Sequence, residues 1–477
     1  MLIKKSAPDV IAGYLEDSSN LDGAHAEGLF LPETTTDVLE ALKQCQSDKL
    51  NLTIAGAQTG TTGGALPFGG WLLSTQKMNK IIDFDPKKMS AVVQPGVTLE
   101  ELGKLIGKEK LLYPPDPTEK TATIGGNAAT NASGGRCFRF GSTRRWLKRL
   151  KIALTDGTIL EIKREGTFAN NDGLFKLNNF SLARPAYDSP RLKSSAGYFS
   201  LPKMDMLDLF IGSEGTLGII LEIEVELIPA LNETIDLVAF FPTEAAAVDF
   251  VLAGKEQKIP GVNFYEYFDP HTLSMLAPSF PRLKEPQKTA VYLEQEILGD
   301  LDKALADWAL LLEKHHASID DCWLAATSPQ RAELAKFRQA VPEHINELFK
   351  KHHQIKLATD IAVPDGKFKE MFNYYNDELR EASLFYIKFG HIGDNHLHVN
   401  LLSSSPEELE KAKSIADLFV RKAVSLGGTV SAEHGIGKIK HRYLREMYGD
   451  KGIKEMVRVK KQFDPEFILN RGNIFSL

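Results

Sequence analysis

The sequence predicts an α+β protein of two packed units with a C-terminal segment that returns to the first. Up to about residue 230, short apolar, β-prone runs alternate with Gly-rich turns and helices; beyond it, β-α-β elements recur. Pro229 and the polar LNET that follows interrupt the pattern between the two regions. A chain of 477 residues also exceeds the usual size of a single core. These observations divide the chain at 1–229, 230–425 and 426–477.

The formal charge of -6 is spread over interspersed acidic and basic residues. No basic stripe marks nucleic acid as a partner. Cys45, Cys137 and Cys322 form no CxxC pair, which predicts free thiols in a reducing compartment. The N-terminus, MLIKKSAPDVIAG, lacks the apolar core of a signal peptide, and no apolar run is long enough to span a bilayer. The expected location is cytoplasmic, with peripheral contact at a membrane left open.

Three Gly-rich loops organise the first region. Residues 51–55 form a β-prone run, followed by GAQTGTTGGALPFGG and the β-like WLLS from Trp71. Such a strand, loop, strand arrangement lets successive N–H groups form a nest for a pyrophosphate. It is not the GxGxxG fingerprint, because no helix follows, so a Rossmann domain is disfavoured. The second loop, residues 114–145, is rich in Gly, Ala, Ser, Thr and Asn, as suits backbone packed against a flat ligand. The third, FIGSEGTLGII, precedes the alternating strand IILEIEVELI. Each loop alone reads more readily as a structural turn, and only their co-occurrence favours a ligand.

In the second region TIDLVAFF, an Ala-rich helix from Glu244 and VNFYEYF make one β-α-β unit. TAVYLEQEI, a helix from Asp300 to His316 and the strands LFYIKFG and HLHVNLL continue the pattern. Helices packed on an antiparallel sheet are predicted. If Asp394 and Asn395 form the turn of the last hairpin, His391 lies opposite His398 with Cβ atoms about 5 Å apart. Both imidazoles then reach one metal. His396 shares that face as an alternative ligand or a supporting donor. A His pair in a strand is also explained by packing alone, and Glu433 strengthens the metal reading only if the fold brings it alongside. His315, His316, His352 and His353 lie in charged, helix-like surroundings and read as surface residues. A helix from Pro406 to about Ser425 leads to GGTVSAEHGIGK.

The runs AGAQTGTTGGALPFGG, QPGVTLEEL, PPDPTEKTATIGGNAATNASGG, FGSTRR and IGSEGTLGI resemble the FAD-binding domain of the vanillyl-alcohol oxidase and p-cresol methylhydroxylase (PCMH) superfamily. GHIGDNHLH, SAEHGIGK and FDPEFILNRGNIF narrow the resemblance to its D-lactate dehydrogenase, glycolate oxidase and D-2-hydroxyglutarate dehydrogenase branch. It implies a PCMH-type domain, an antiparallel cap domain with ferredoxin-like units, and a C-terminal segment returning to the flavin. By that resemblance Gly56, Ala57, Gln58, Thr59 and Gly60 hold the FAD pyrophosphate. Pro117, Thr118, Gly125, Gly126, Asn127, Ser133 and Gly134, with Glu214, Gly215, Gly218 and Ile219, enclose the cofactor, and Asn473 joins them. His391, His398 and Glu433 are implied as ligands of a divalent metal, zinc first with manganese or iron as alternatives, and His434 as the general base. Arg338 and Lys356 are implied as contacts to the substrate anion, and Lys193 as a neighbour of the flavin.

The implied reaction oxidises a 2-hydroxy acid such as D-lactate, D-2-hydroxyglutarate or glycolate. Its electrons pass to a quinone or an electron-transfer flavoprotein, and a homodimer is an open expectation. FAD is expected to be non-covalent, since no His lies in the three loops and Cys137 reads as a small buried residue. Two alternatives stand: a redox-neutral transferase of the alkyl-dihydroxyacetonephosphate synthase type, against which Glu433 argues, and a flavin-free metal-dependent hydrolase or binding protein.

Overall fold

The run Ile219–Glu226 is buried at every second residue, as a strand with one face on a core requires. In the computed structural model it is the central strand of a five-stranded antiparallel sheet, in the order Ile81–Asp85, Ser90–Val93, Ile219–Glu226, Leu147–Ala153, Ile159–Lys163. The structure describes residues 1–177, 180–284, 288–352 and 355–476. It divides them into one unit of Met1–Gly134, Gly141–Ala230 and Ser431–Leu477, and another of Gly135–Phe140 and Leu231–Val430.

The first unit also holds a four-stranded mixed sheet, ordered Ile3–Lys5, Gly28–Leu31, Trp71–Ser74, Leu52–Ala55. The helix Thr35–Asp48 starts at a capping box between Thr34 and Asp37. It buries Val38, Ala41, Leu42 and Cys45 against Phe30, Leu52, Leu73, Ile219 and Leu469. Burial pushes the Cys45 thiol up to about 12, so it packs as an apolar group. Residues near the C-terminus run along the strand Leu52–Ala55: Leu52 N–H donates to the Ile468 carbonyl, and Ile54 N–H to Asn470 Oδ1. Buried Lys460 ties the same stretch together by donating to Asp464 and to the Thr216 and Leu469 carbonyls.

The second unit is built on one eight-stranded sheet. Its strands run Trp323–Ala325, Thr234–Phe241, Thr289–Glu296, Val262–Phe268, Tyr386–Gly390, His396–Ser403, Ile355–Ala358, with Ile361–Ala362 also on His396–Ser403. All its pairings are antiparallel. The first four strands, with helices Glu244–Glu256 and Leu301–Lys314, form one ferredoxin-like β-α-β-β-α-β unit in sheet order 4-1-3-2. The 24-residue helix Ser328–Lys351 carries Pro342 in its interior and packs Phe337, Val341, Ile345 and Phe349 into the core. Gly135–Phe140 belongs to this unit: Arg136 forms a two-pronged pair with Glu294, and Arg139 binds Glu296 and Asn263. No helix among the described residues is long and apolar enough to cross a membrane.

Candidate active site

In the first unit the loop after Leu52–Ala55 is shaped by close approach. A Cβ on Gly56 would lie 2.6 Å from Thr123 Oγ1, whereas one on Gly60, which is exposed, would meet nothing within 4 Å. Gln58 adopts a positive φ of 57°, and its amide donates to the Tyr14 and Glu16 carbonyls, both at 2.8 Å. In the second loop Gly134 has φ 121°, and a Cβ there would sit 2.1 Å from the Asp116 carbonyl oxygen. A Cβ on Gly125 would lie 2.5 Å from Pro95 Cβ, and Thr123 caps the next helix by accepting from Gly126 N–H. Pro117 accepts from Lys120, and Thr118 is exposed. Buried Asn127 has an amide nitrogen with no hydrogen-bond partner among the described residues. A buried donor in that state fits a ligand acceptor.

The third loop turns at Glu214 and Gly215, with φ 52° and 71°, and Ile219 opens the strand opposite Ala153. The two carboxylate oxygens of Glu214 accept from Ile436 N–H at 2.7 Å and Gly437 N–H at 2.8 Å. Burial raises this carboxyl to about 7 against the pull of those two donors. Asn473 donates to the Gly64 and Glu214 carbonyls and accepts from Lys438 at 2.6 Å. Burial brings the Lys438 ammonium down to about 8. The side chains of Gln58, Glu214 and Asn473 thus shape the loops themselves.

These bonds also hold the segment Ser431–Lys438. Gly437 follows Thr62 so closely that a Cβ would lie 2.0 Å from its carbonyl oxygen, and Thr62 Oγ1 donates to the His434 carbonyl. Glu433 pairs with the buried Lys193 at 2.8 Å and lies 3.5 Å from Ser133 Oγ. His434, about one-third exposed, has Nε2 3.6 Å from Glu433 Oε1. Glu433, His434, Lys193 and Ser133 are therefore neighbours within this unit.

The second unit gathers the histidines, by a register other than the expected one. Asp394 and Asn395 do not form a two-residue turn: a 3₁₀ turn over Ile392–Asp394 lengthens the connection, so Phe389, not His391, pairs with His398. His391 sits at the head of that turn, its carbonyl accepting from His396 N–H. The three rings still converge, with centroids 5.4 Å (His391 to His396), 5.8 Å (His391 to His398) and 4.5 Å (His396 to His398) apart. One ligand atom from each lies within 4.8 Å of the others.

Each ring also has an oxygen at one nitrogen. Glu266 Oε1 is 2.8 Å from His391 Nδ1, Asp360 Oδ1 is 3.1 Å from His396 Nε2, and the Thr359 carbonyl is 3.3 Å from His398 Nδ1. Acceptors behind imidazoles are the usual surroundings of metal-bound histidine, so these residues fit a divalent ion. The same Glu266 oxygen pairs with Arg338 at 2.8 Å, and the guanidinium lies over Phe264.

Sequence reasoning missed Glu266 and Asp360. The signal for Glu266 was a lone carboxylate in the aromatic strand Val262–Phe268, buried at all seven positions. Lys356 lies opposite Leu402 on the strand Ile355–Ala358, and its side chain falls outside the described residues, as does His353. Cys137 is half-buried rather than buried, and the three cysteines are thiols rather than disulfides. His315 is also half-buried, with its ring edge-on to Phe250, because it closes the helix Leu301–Lys314 over the core; His316 and His352 are exposed.

Residues 232–474 match the family described as FAD linked oxidases, C-terminal domain, and residues 26–163 match the FAD binding domain. The chain belongs to the FAD-linked oxidase family. Its Gly-rich loops accordingly lie in and around the FAD-binding domain of such an oxidase. Among curated relatives of this FAD-linked oxidase, D-lactate dehydrogenase of Anaerostipes hadrus is 31% identical, over 94% of this chain and 90% of that one. Glycolate oxidase subunit GlcD of Bacillus subtilis (strain 168) is 29% identical, over 97% and 92%. The substrate-bound crystal structure of p-cresol methylhydroxylase superposes with a TM-score of 0.69 at 16% identity, over 99% of this chain and 94% of that one, which establishes the PCMH-type fold.

Proposed function

We propose that this FAD-linked oxidase is a dehydrogenase of 2-hydroxy acids related to D-lactate, glycolate or D-2-hydroxyglutarate, assisted by a divalent metal. The observation that carries the reading is the trio of buried imidazoles, each with an oxygen behind it, in a chain of this family. Bound FAD supplies the hydride acceptor that side chains cannot. The chain's own residues handle the proton and the anion. His434 takes the hydroxyl proton as the Cα hydride leaves, so that the C–OH becomes C=O with electrons and protons balanced.

In this reading His391, His398 and Glu433 would hold the divalent ion, which would supply Lewis acidity to the substrate hydroxyl. Zinc suits imidazole nitrogen better than manganese does, with iron between them in the choice. Arg338, held by Glu266, is the guanidinium proposed to meet a substrate carboxylate, for which its planar fork is suited. Lys356 adds a point charge for the same anion. FAD is held non-covalently, for which the absence of histidine from the three loops speaks. A quinone or an electron-transfer flavoprotein as electron acceptor, a cytoplasmic site of action and a homodimer are carried as part of this proposal.

The test is anaerobic bleaching of the flavin by D- and L-lactate, glycolate and D- and L-2-hydroxyglutarate, before and after chelation and restoration of zinc. Bleaching by one of these acids, lost on chelation and regained with zinc, is expected. An intact, metal-loaded flavin that none of them reduces would sink the reading and favour the redox-neutral transferase.

A further inference from the structure

The pair expected to bind metal, His391 and His398, has a third imidazole beside it. His396 is fully buried, at 0% exposure, on the strand His396–Ser403, two residues before His398 and so on the same face. Its ring is nearer to His398 than that of His391 is, at 4.5 Å against 5.8 Å between centroids. A buried histidine with no role other than packing needs one or two hydrogen bonds and no particular partner rings. Here instead three rings offer nitrogens within 4.8 Å of one another. Nitrogens bonded to one ion at about 2.0–2.1 Å stand within about 4 Å of each other, so small side-chain rotations bring all three into range.

The surroundings treat the three alike. The oxygens of Glu266, Thr359 and Asp360 lie 2.8, 3.3 and 3.1 Å from one ring nitrogen of His391, His398 and His396 in turn. With an oxygen beside one nitrogen, the second nitrogen of each imidazole is the candidate ligand atom. Two of the three supports are buried carboxylates, whose charge offsets that of an ion. The side chains of Glu266 and Asp360 are only 4% and 1% exposed. Burial of such groups is costly unless they are paired.

We propose that this chain holds its ion through three imidazoles, His391, His396 and His398, with Asp360 positioning His396. The inference rests on the metal reading given under Proposed function and deepens it by adding a ligand. All three imidazoles come from one hairpin, so the second unit alone supplies a nitrogen-rich face. Such a face selects zinc or cobalt over manganese.

X-ray absorption at the zinc edge of the intact flavoprotein counts the imidazoles directly, with metal content read by elemental analysis after dialysis against a chelator. Three imidazoles per zinc are expected. His396→Asn should remove one of them and weaken zinc retention at least about tenfold, the size of loss seen when an outer partner of a ligand is removed. Asp360→Asn should weaken retention and leave the imidazole count unchanged. Flavin absorbance and circular dichroism identify any variant that has not folded, and the count on the unaltered protein needs no variant at all. Two imidazoles in the unaltered protein, with His396→Asn holding zinc as well as the parent while His391→Asn releases it, would overturn the third ligand and leave the metal reading standing. A protein that binds no zinc, and whose three single His→Asn variants behave identically, would overturn both.

Discussion

Glu214→Gln probes the brace under the segment that carries His434. In the fold burial lifts the Glu214 carboxyl from an ordinary 4.5 to about 7, although Ile436 and Gly437 both donate to it. The sign follows from linkage: between these values the closed loop binds a proton that the opened, solvated state has released. Closure is therefore strongest below pH 4.5, weakens as pH rises through the window, and is weakest above 7. At about 1.4 kcal/mol for each pH unit, the loss across the window is about 3 kcal/mol. Glutamine does not titrate, so relative to the parent the variant should gain about 3 kcal/mol of local closing stability between pH 4.5 and 8. Hydrogen exchange of peptides spanning residues 435–438, corrected for intrinsic rates, reads this local opening without requiring two-state unfolding of the whole chain. Parallel pH profiles for parent and variant would refute the reasoning, because they would mean that the two N–H donors outweigh burial and that the carboxylate is charged throughout.

Three further outcomes are expected. His434→Ala should cut the rate of flavin reduction by a 2-hydroxy acid about 10²–10⁴-fold, the usual contribution of a general base, with flavin absorbance and zinc content unchanged. Gly134→Ala should cost more than about 2 kcal/mol in denaturant unfolding, since its φ is 121° and its Cβ would strike the Asp116 carbonyl; Gly60→Ala, which meets nothing within 4 Å, should leave stability unchanged and show its effect only in flavin content. Lys388→Met should destabilise by about 3–5 kcal/mol, because Lys388 is fully buried and pairs with Glu244 at 2.8 Å, and the double variant with Glu244→Gln should recover part of that loss.

Periodicity made much of the architecture legible. The alternation of IILEIEVE, the Gly-rich connection between Leu52–Ala55 and Trp71–Ser74, and the strand and helix pattern after Pro229 each report a local preference that tertiary packing reinforces. What depended on the exact register was not legible: the pairing is shifted by two residues, from His391 to Phe389 opposite His398. A two-residue turn and a 3₁₀ turn differ by a shift that no composition reveals, and the shift moved His391 off the strand that pairs with His398. The helix Ser328–Lys351 runs through Pro342, although proline usually ends a helix; Phe337, Val341, Ile345 and Phe349 hold both halves on the core. Glu266 and Asp360 escaped notice because a carboxylate announces its partner only when the fold supplies one.

The short stretch Gly135–Phe140 has a consequence for how the chain can be made and divided. The polypeptide passes from one unit to the other after Gly134, Phe140, Ala230 and Val430. During synthesis, Arg136 therefore waits for Glu294, which lies 158 positions later, and the first unit waits for residues 431–477. Neither unit is complete in the order in which the ribosome delivers it, so rapid folding of the leading half is disfavoured and long-range closure comes last. A fragment cut at residues 231–430 would carry Glu294 and Glu296 without Arg136 and Arg139. Gene fusion or truncation at that seam would thus separate charges that the intact chain joins.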